Sequence, residues 1–267
     1  MQKTLTYRHN TIAYEDTGHG HPVVLLHGFG EDGTVWKHQV PWLADHYRVI
    51  VPDWPGSGLS PRATSPSMET FAELLRALLD HERIDQACVI GHSMGGYVLM
   101  AFAETYPGYL SGLGLFHSTA FADSEERKQA RLRGIAFIRA NGAAPFLRQA
   151  TPNLFADKFK AEHPAAVAAQ VERVGSFDPE ALIGYYEAMM RRPDRSEVLA
   201  GVTTPVLFIG GAKDIAIPLE ETLRQVSLPT LAFVHLLEDS AHMGMWEEQA
   251  ASDKALDEFL TYIYAHA

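Results

Sequence analysis

The sequence is poor in cysteine and contains no long apolar run. Cys88 is the single cysteine among 267 residues, which excludes an intrachain disulfide, and its apolar neighbours indicate a buried, inert thiol. The apolar runs fall short of the roughly 18 residues that a membrane-spanning helix needs, and the N-terminal segment lacks the apolar stretch of a signal peptide. We therefore expect a cytoplasmic protein in a reducing compartment, without a membrane partner.

Positive charge is also scarce. Lysine and arginine number 22 against 33 aspartates and glutamates, for a formal net charge of −11. Such a chain repels phosphate backbones and anionic lipid surfaces, so we expect no nucleic-acid partner. The glycine-rich segment DWPGSGLS at 53–60 matches neither common nucleotide-binding fingerprint. His19 and His21 lie two residues apart without a further cluster of ligands, and we expect no metal site there.

Compact apolar runs alternate with helical patterns along much of the chain. In 67–81 and 251–263 the apolar residues recur with helical spacing, and Ser67 is a suitable N-cap. Two alternating segments around Asn10 predict a pair of short strands joined by a turn. This alternation predicts an α/β protein with a mostly parallel sheet whose strands are buried on both faces. The apolar runs are VVLL (23–26), VIV (49–51), ACVI (87–90), LGLF (113–116), VLFI (206–209) and LAFVHLL (231–237).

The alternation is interrupted between Phe116 and Val206, where no buried strand is predicted but helical patterns are frequent. The length of the chain suits one large α/β domain that carries an inserted subdomain. We therefore expect a core domain formed by residues 1–118 and 199–267, and a helical cap formed by residues 119–198.

Within the cap, Asp123 or Ser124 is a suitable N-cap for a helix that ends near Asn141, and the segment DPE at 178–180 predicts another helix start. The cap is also rich in arginine. We expect these side chains to lie on solvated helix faces, and the alternative is a clamp for an anionic substrate. They are Arg131, Arg133, Arg139, Arg148, Arg173, Arg191, Arg192 and Arg195.

A possible nucleophile lies in the segment GHSMGG at 91–96. It has the pattern G-x-S-x-G, and it follows a predicted strand and precedes a predicted helix. A sharp turn at such a junction exposes a serine hydroxyl above the sheet edge, and glycines are needed because neighbouring backbone comes close. The pattern alone is common, but this context identifies Ser93 as the candidate nucleophile.

A serine hydroxyl needs a base to take its proton. His242 follows the last predicted strand and precedes the last helix, which brings it to the carboxyl edge of the sheet, where Ser93 also emerges. His92, next to the nucleophile, is better suited to packing or orientation. We therefore predict His242 as the general base.

The base in turn needs an acid that fixes its tautomer. Asp214 directly follows the predicted strand VLFI and emerges at the same edge, whereas Asp239 lies only three residues before His242. We favour Asp214 as the acid and expect Asp239 to shape the loop. The resulting order of Ser, Asp and His along the chain is the one found in α/β-hydrolases.

Acyl transfer also requires donors for an oxyanion. The segment HGFG at 27–30 follows the neighbouring predicted strand, and we expect the backbone N–H groups of Phe29 and Met94 to form the oxyanion hole. The turn at 53–60 is expected to support this segment. For substrate binding we predict Gly28, His117, which follows LGLF, and Trp36; a structural turn and a core position are the alternatives for the last two.

On these motifs the chain resembles the α/β-hydrolase superfamily along nearly its whole length. The residues that carry the resemblance are HGFG at 27–30, DWPGSGLS at 53–60, GHSMGG at 91–96, Asp214 and DSAHM at 239–243. The resemblance implies a mostly parallel eight-stranded sheet flanked by helices, a helical cap inserted after the sixth strand, and hydrolysis without a cofactor. Haloalkane dehalogenases and epoxide hydrolases have aspartate at the position of Ser93, which disfavours those activities.

The resemblance implies a small-molecule ester as the substrate. We expect a carboxylesterase-like serine hydrolase that cleaves esters of small carboxylic acids through an acyl-enzyme intermediate. A lactonase or a thioesterase would use the same residues. A cofactor-free lyase and a catalytically silent ligand-binding receptor are further alternatives, because the fold alone does not choose among these functions.

Overall fold

The computed structural model describes residues 1–265. The strands in this range are β1 (Gln2–Tyr7), β2 (Asn10–Gly18), β3 (Pro22–Leu26), β4 (Arg48–Pro52), β5 (Ala87–His92), β6 (Leu110–Phe116), β7 (Val206–Gly211) and β8 (Ala232–Leu237). The α-helices are α1 (Gln39–Leu43), α2 (Met68–His81), α3 (Met94–Thr105), α4 (Glu125–Asn141), α5 (Ala143–Ala150), α6 (Asp157–Glu162), α7 (Pro164–Val174), α8 (Pro179–Arg191), α9 (Ser196–Gly201), α10 (Leu219–Gln225), α11 (Gly244–Glu247) and α12 (Gln249–Ala265). Short 3-10 helices lie at Gly33–Trp36, Pro107–Tyr109 and Thr151–Leu154.

The eight strands form one sheet in the order β1-β2-β4-β3-β5-β6-β7-β8. The pairs β1–β2 and β2–β4 are antiparallel, and all the other pairs are parallel. The expected mostly parallel, eight-stranded sheet is therefore confirmed. Because β3, β5, β6 and β7 run in the same direction, the segments that follow them emerge at one edge of the sheet.

The prediction that every apolar run forms a strand buried on both faces is wrong for β8. This strand lies at the edge of the sheet and pairs only with β7. Phe233 packs on Phe259 of α12, whereas Val234 and Leu236 are 41% and 43% exposed. The apolar run therefore predicts the strand correctly, but not the edge position that leaves one of its faces open to solvent.

Helices cover both faces of the sheet, as the alternating pattern predicts. On one face, α2 and α3 bury a cluster that includes Phe71, Leu78 and Phe102. On the other, Trp36 and α12 contribute to a second cluster with Phe116 and Phe259. Ser67 caps α2 as expected, since its side chain accepts a hydrogen bond from the N–H of Thr70 at 3.0 Å. Among residues 1–265, no helix combines the length and the apolar character needed to cross a membrane.

Helices α4 to α9 lie between β6 and β7 and form the helical cap that was expected after the sixth strand. Ser124 caps α4, and Asp178 caps α8 with Pro179 in its first turn, as predicted. A separate apolar cluster holds α4, α5, α7 and α8 together and packs against the side chain of Phe29 in the core. The cap therefore rests directly on the segment that was expected to form the oxyanion hole.

Two cap arginines that were expected to be solvated are buried. Arg195 donates to Glu104 at 2.8 Å and to Glu69 at 2.7 Å, which ties the cap to α3 and α2. Arg192 forms an ion pair with the buried Asp123 at 2.8 Å. The expectation is wrong for these positions because paired carboxylates offset the cost of burying a guanidinium.

Candidate active site

Ser93 lies in the sharp turn between β5 and α3. Its φ of +50° and ψ of −118° are uncommon for a residue with a side chain. Glycines make the turn possible: a Cβ on Gly91 would lie 2.5 Å from the backbone of Gly95 and Gly96, and one on Gly95 would lie 2.7 Å from the carbonyl oxygen of Leu26. The backbone N–H of Ser93 donates to Phe116 of the adjacent strand at 3.0 Å. The sequence therefore places this serine in a strained conformation fixed by its neighbours.

His242 and Asp214 meet at the same sheet edge. The Nδ1 of His242 is 2.7 Å from Oδ2 of Asp214, and both side chains are buried. The other oxygen of Asp214 accepts from the backbone N–H groups of Ala216 and Ile217 at 2.8 and 3.0 Å. Asp239, the alternative acid, points away: its side chain is 54% exposed and pairs with Lys158.

These contacts shift both pKa values. Burial raises the pKa of Asp214, but the charge of His242 and the hydrogen bonds from His117 and His242 outweigh burial and hold it well below its usual range. Burial lowers the pKa of His242, but the charge and hydrogen bond of Asp214 outweigh it, and the pKa lies above the ordinary 6.5. The carboxylate thus stays ionised and stabilises an imidazolium beside it.

His117 makes a second hydrogen bond to the same carboxylate. Its Nδ1 lies 3.0 Å from Oδ2 of Asp214, and its Nε2 accepts from the N–H of Gly244 at 3.2 Å. This pattern fixes a neutral ring protonated at Nδ1, and burial lowers the pKa of His117 to about 4. The structure places His117 beneath the site, fully buried and away from the cavity lining.

The group of His117, Asp214 and His242 has the residue types and spacing of a metal site, with one candidate ligand atom from each within 4.8 Å of the others. Hydrogen bonds already use these atoms. Both ring nitrogens of His117 are engaged, and Asp214 accepts four bonds within the described part of the chain. The arrangement therefore suits proton transfer better than metal ligation.

The segment after β3 is held by a carboxylate that the sequence patterns did not identify. Glu31 is buried, and its Oε2 accepts from the N–H of Gly28 at 2.8 Å. The same oxygen lies 2.9 Å from Nδ1 of His92, whose Nε2 lies 2.9 Å from the backbone oxygen of His242. Both ring nitrogens of His92 therefore contact oxygen atoms. Glu31 and His92 thus connect the segments that carry Gly28, Ser93 and His242.

The turn at 53–60 supports this segment, as expected. The backbone N–H of Trp54 donates to Nε2 of His27 at 3.0 Å, and the indole N–H donates to the backbone oxygen of His27. Asp53 accepts from the N–H of Gly33 at 2.8 Å. The turn therefore holds the chain after β3 at His27 and again at Gly33.

A second set of hydrogen bonds fixes the loop of His242. Glu247 accepts from the N–H groups of Ala241 and Met243 at 3.0 Å each, and its other oxygen accepts from Ala156 of the cap at 2.7 Å. The N–H of His242 donates to the cap residue Leu154 at 2.9 Å. The loop is therefore bonded to the cap as well as to the sheet.

Ser93 and His242 line one cavity of about 310 Å³, which the cap covers. Phe29 also lines it and stacks on Tyr186 of α8 with ring centroids 4.2 Å apart. Met94 is fully buried at the start of α3, and Gly28 lies behind Ser93, where an added Cβ would be 3.0 Å from that of the serine. The structure places Trp36 in the core, edge-on to Phe116 at 5.4 Å, and not along the cavity.

Several residues that line the cavity were not singled out from the sequence. The cap contributes Arg127 and Gln170, and Tyr97 comes from α3. Two cap arginines line the cavity, and of these Arg131 but not Arg127 belongs to the arginine set given in the sequence analysis. The helical pattern indicates which residues share a helix face, but the docking of the cap decides which face meets the cavity.

Comparisons with known proteins agree with this architecture. Residues 21–132 match the family model described as alpha/beta hydrolase fold. A thermophilic esterase from Thermogutta terrifontis, solved with malate bound, superposes with a TM-score of 0.93 at 31% identity, covering 98% of this chain and 99% of that chain. The pimeloyl-[acyl-carrier protein] methyl ester esterase of Methylococcus capsulatus is 27% identical over 92% of this chain and 97% of its own length.

A longer relative is the dihydrolipoyllysine-residue acetyltransferase component of the acetoin cleaving system of Pseudomonas putida. It is 31% identical over 92% of this chain, which spans only 64% of that protein. The fold, the family match and the similarity to these proteins lead to the same assignment. The chain belongs to the α/β-hydrolase fold family and is a hydrolase of that family.

Proposed function

We propose that this chain is a serine hydrolase that cleaves esters of small carboxylic acids through an acyl-enzyme intermediate. Ser93 is the nucleophile, His242 the general base and Asp214 the acid that orients the base. The observation that carries the proposal is the buried 2.7 Å contact between His242 Nδ1 and Asp214, beside a cavity that His242 lines together with a strained serine. A neutral base, an oriented ring and an exposed hydroxyl are what acyl transfer requires.

In the first half-reaction, the hydroxyl oxygen of Ser93 attacks the ester carbonyl carbon while Nε2 of His242 takes the hydroxyl proton. The backbone N–H groups of Phe29 and Met94 stabilise the oxyanion. The tetrahedral intermediate then collapses: the bond to the alcohol oxygen breaks, and His242 returns its proton to that oxygen. The alcohol leaves, and Ser93 carries the acyl group.

In the second half-reaction, water attacks the acyl-enzyme carbonyl and His242 takes a proton from it. Collapse of this intermediate breaks the bond to Ser93, whose oxygen recovers the proton from His242, and the carboxylic acid leaves. Asp214 remains ionised throughout, because its role is to orient the ring and stabilise the imidazolium.

The cavity supports a small substrate. Its volume of about 310 Å³ lies at the lower end of the range of roughly 300–1,000 Å³ for ligand pockets. The cap covers it, and apolar side chains such as Leu147 and Met189 line it. We expect acyl chains of up to about six carbons to be preferred, because longer chains would clash with the cap.

The test is a series of p-nitrophenyl esters from acetyl to palmitoyl, measured as kcat/KM beside simple lactones and acyl thioesters. The Ser93→Ala variant is the control for uncatalysed and contaminating hydrolysis. A maximum at short chains supports the proposal. A maximum at twelve carbons or more would contradict the preference for a small substrate. If lactones or thioesters are turned over faster than the esters, the substrate class is a lactone or a thioester and not an ester.

A further inference from the structure

The cavity that contains Ser93 also contains two arginines. Arg127 and Arg131 lie four residues apart on α4, hence on one face of the helix, and both line the cavity. The site otherwise has a substantial apolar lining, in which a guanidinium is costly unless it is paired or used. These arginines either bind a ligand or only form structural ion pairs. The partners of each arginine decide between these two roles.

The two cavity arginines differ in their carboxylate partners. Arg131 donates from Nε and Nη2 to the buried Asp123, at 2.6 and 3.1 Å, but Asp123 also pairs with Arg192. Arg127 donates to both oxygens of Glu221, at 3.2 and 2.8 Å. Arg131 therefore shares its carboxylate with a second guanidinium, whereas Arg127 has both oxygens of Glu221 to itself.

Arg131 is also held in place with donor capacity to spare. Its guanidinium lies 5.5 Å from the ring centroid of Tyr186, which stacks on Phe29 at 4.2 Å. No hydrogen bond from its Nη1 occurs within residues 1–265. The side chain is thus fixed from two sides, by Asp123 and by Tyr186, and retains N–H groups for a further acceptor.

A third polar side chain lines the cavity, and its amide oxygen has no hydrogen-bond partner within residues 1–265. Gln170 of α7 is 3% exposed and lines the same cavity, and its Oε1 accepts no hydrogen bond in the described part of the chain. A buried amide oxygen without a partner is unfavourable. The oxygen of Gln170 can accept a hydrogen bond from an N–H or O–H group of a ligand.

We propose that the cap selects substrates that carry a carboxylate in addition to the scissile ester, with Arg131 as the binding residue and Arg127 and Gln170 beside it. This inference rests on the proposed esterase function. The shared carboxylate and the free Nη1 of Arg131 favour an anion over the neutral acyl chain that the apolar lining alone would accept. The substrate class is the monoester of a short dicarboxylic acid, bound with its ester at Ser93 and its carboxylate under α4.

Two matched esters test the inference. The mono-p-nitrophenyl ester of glutaric acid carries the carboxylate, and p-nitrophenyl 5-methylhexanoate replaces it by an isopropyl group of the same shape. We expect the wild-type protein to have a kcat/KM about tenfold or more higher for the anionic ester, the range of a charge-assisted hydrogen bond. Glutarate should also inhibit hydrolysis of the neutral ester competitively.

Arg131→Gln should lower the ratio of kcat/KM for the anionic over the neutral ester by about tenfold, mainly through KM, and should weaken inhibition by glutarate. Arg127→Gln should act in the same direction. Arg133→Gln is the matched control, because Arg133 lies on the same helix with an exposed side chain. Circular dichroism and thermal unfolding verify that each variant is folded.

The outcomes separate the two proposals. If the wild-type protein hydrolyses neither ester, the esterase function fails and this inference fails with it. If it hydrolyses the neutral ester at least as well as the anionic one, or if Arg131→Gln lowers both rates equally, the carboxylate site is wrong while the esterase function stands. If Arg133→Gln lowers the ratio as much as Arg131→Gln, the effect is a general one of helix charge, and the assignment to the cavity arginines is wrong.

Discussion

His117 and His242 hydrogen-bond to the same oxygen of Asp214, at 3.0 and 2.7 Å. The remaining oxygen accepts from two backbone N–H groups. The carboxylate therefore has one orientation, and the two imidazoles beside it differ in their properties. The pKa of His117 is lowered to about 4, whereas that of His242 is raised above 6.5. Only the ring that lines the cavity is suited to exchange protons near neutral pH.

Replacing Asp214 by asparagine should lower kcat/KM on the order of 10⁴-fold, because an amide favours the wrong tautomer of the base. Asp239→Asn, which changes an exposed carboxylate paired with Lys158, should leave activity within about twofold. Steady-state kinetics on a short-chain ester measures both. Comparable losses in the two variants would contradict the choice of acid.

The pH dependence of kcat/KM should show one rising limb with a midpoint above 6.5, because the base must be neutral and the pKa of His242 is raised. His242 is protonated below that midpoint and unable to accept the proton of Ser93. Weakening the carboxylate by Asp214→Asn should move the midpoint of the residual activity to lower pH. A midpoint below pH 6.5 in the wild-type protein would argue against His242 as the titrating group.

His117→Gln should destabilise the protein by about 1–3 kcal/mol near neutral pH, because the N–H of Gly244 and one oxygen of Asp214 lose a buried partner. The cost should shrink as the pH falls. The folded ring titrates at about 4 and an unfolded one at about 6.5, so between these values the unfolded chain binds more protons and the contribution of His117 to stability declines. Urea unfolding of the wild-type protein and of the variant at pH 7.5 and pH 5 measures the cost at each pH. A cost that grows on acidification would contradict the neutral ring.

Glu31→Gln should lower kcat by roughly tenfold to a hundredfold and change KM little, because loosening the segment at Gly28 affects donors that act mainly in the transition state. Glu31 is a positioning residue in this account. Glu238→Gln, which changes an exposed carboxylate near His242 in the sequence, is the control. An increase in KM without loss of kcat would instead indicate a role in substrate binding.

Ser93→Gly and Ser93→Ala should both abolish labelling by a fluorophosphonate and ester hydrolysis, but they should differ in stability. Glycine tolerates a φ of +50°, whereas alanine keeps the Cβ that makes it costly, and the strain is on the order of 1–3 kcal/mol. Thermal unfolding should therefore rank the glycine variant above the alanine variant. Equal melting temperatures would mean that the turn stores no strain, and residual hydrolysis by either folded variant would rule out Ser93 as the nucleophile.

The sequence was sufficient to predict most of the sheet and the edge at which the candidate site lies. Buried apolar runs mark the strands because parallel strands covered on both faces have few polar positions. Ser93, Asp214 and His242 each follow such a run, and the common direction of the strands brings them to one edge. These inferences require only the local pattern and the direction of the chain.

What the sequence did not predict depends on tertiary contacts. Glu31 meets His92 across two loops, and no local pattern indicates that pair. His117 adopts a φ of +48° and contacts Asp214 beneath the cavity. Arg127 and Arg131 reach the cavity because of the way in which the cap docks, and Val234 is exposed because β8 ends the sheet.

The hydrogen bonds from His242 to Leu154 and from Ala156 to Glu247 make the cap part of the support of the base. Only main-chain atoms of the cap take part in these two bonds, so they depend on the backbone path and not on the side chains of residues 154 and 156. A chimaera that receives its cap from another protein would keep a functional base loop only if the graft reproduces the backbone path at these two residues. A graft exchanged between the end of β6 and the start of β7 without regard to this path would therefore also change the support of the His242 loop.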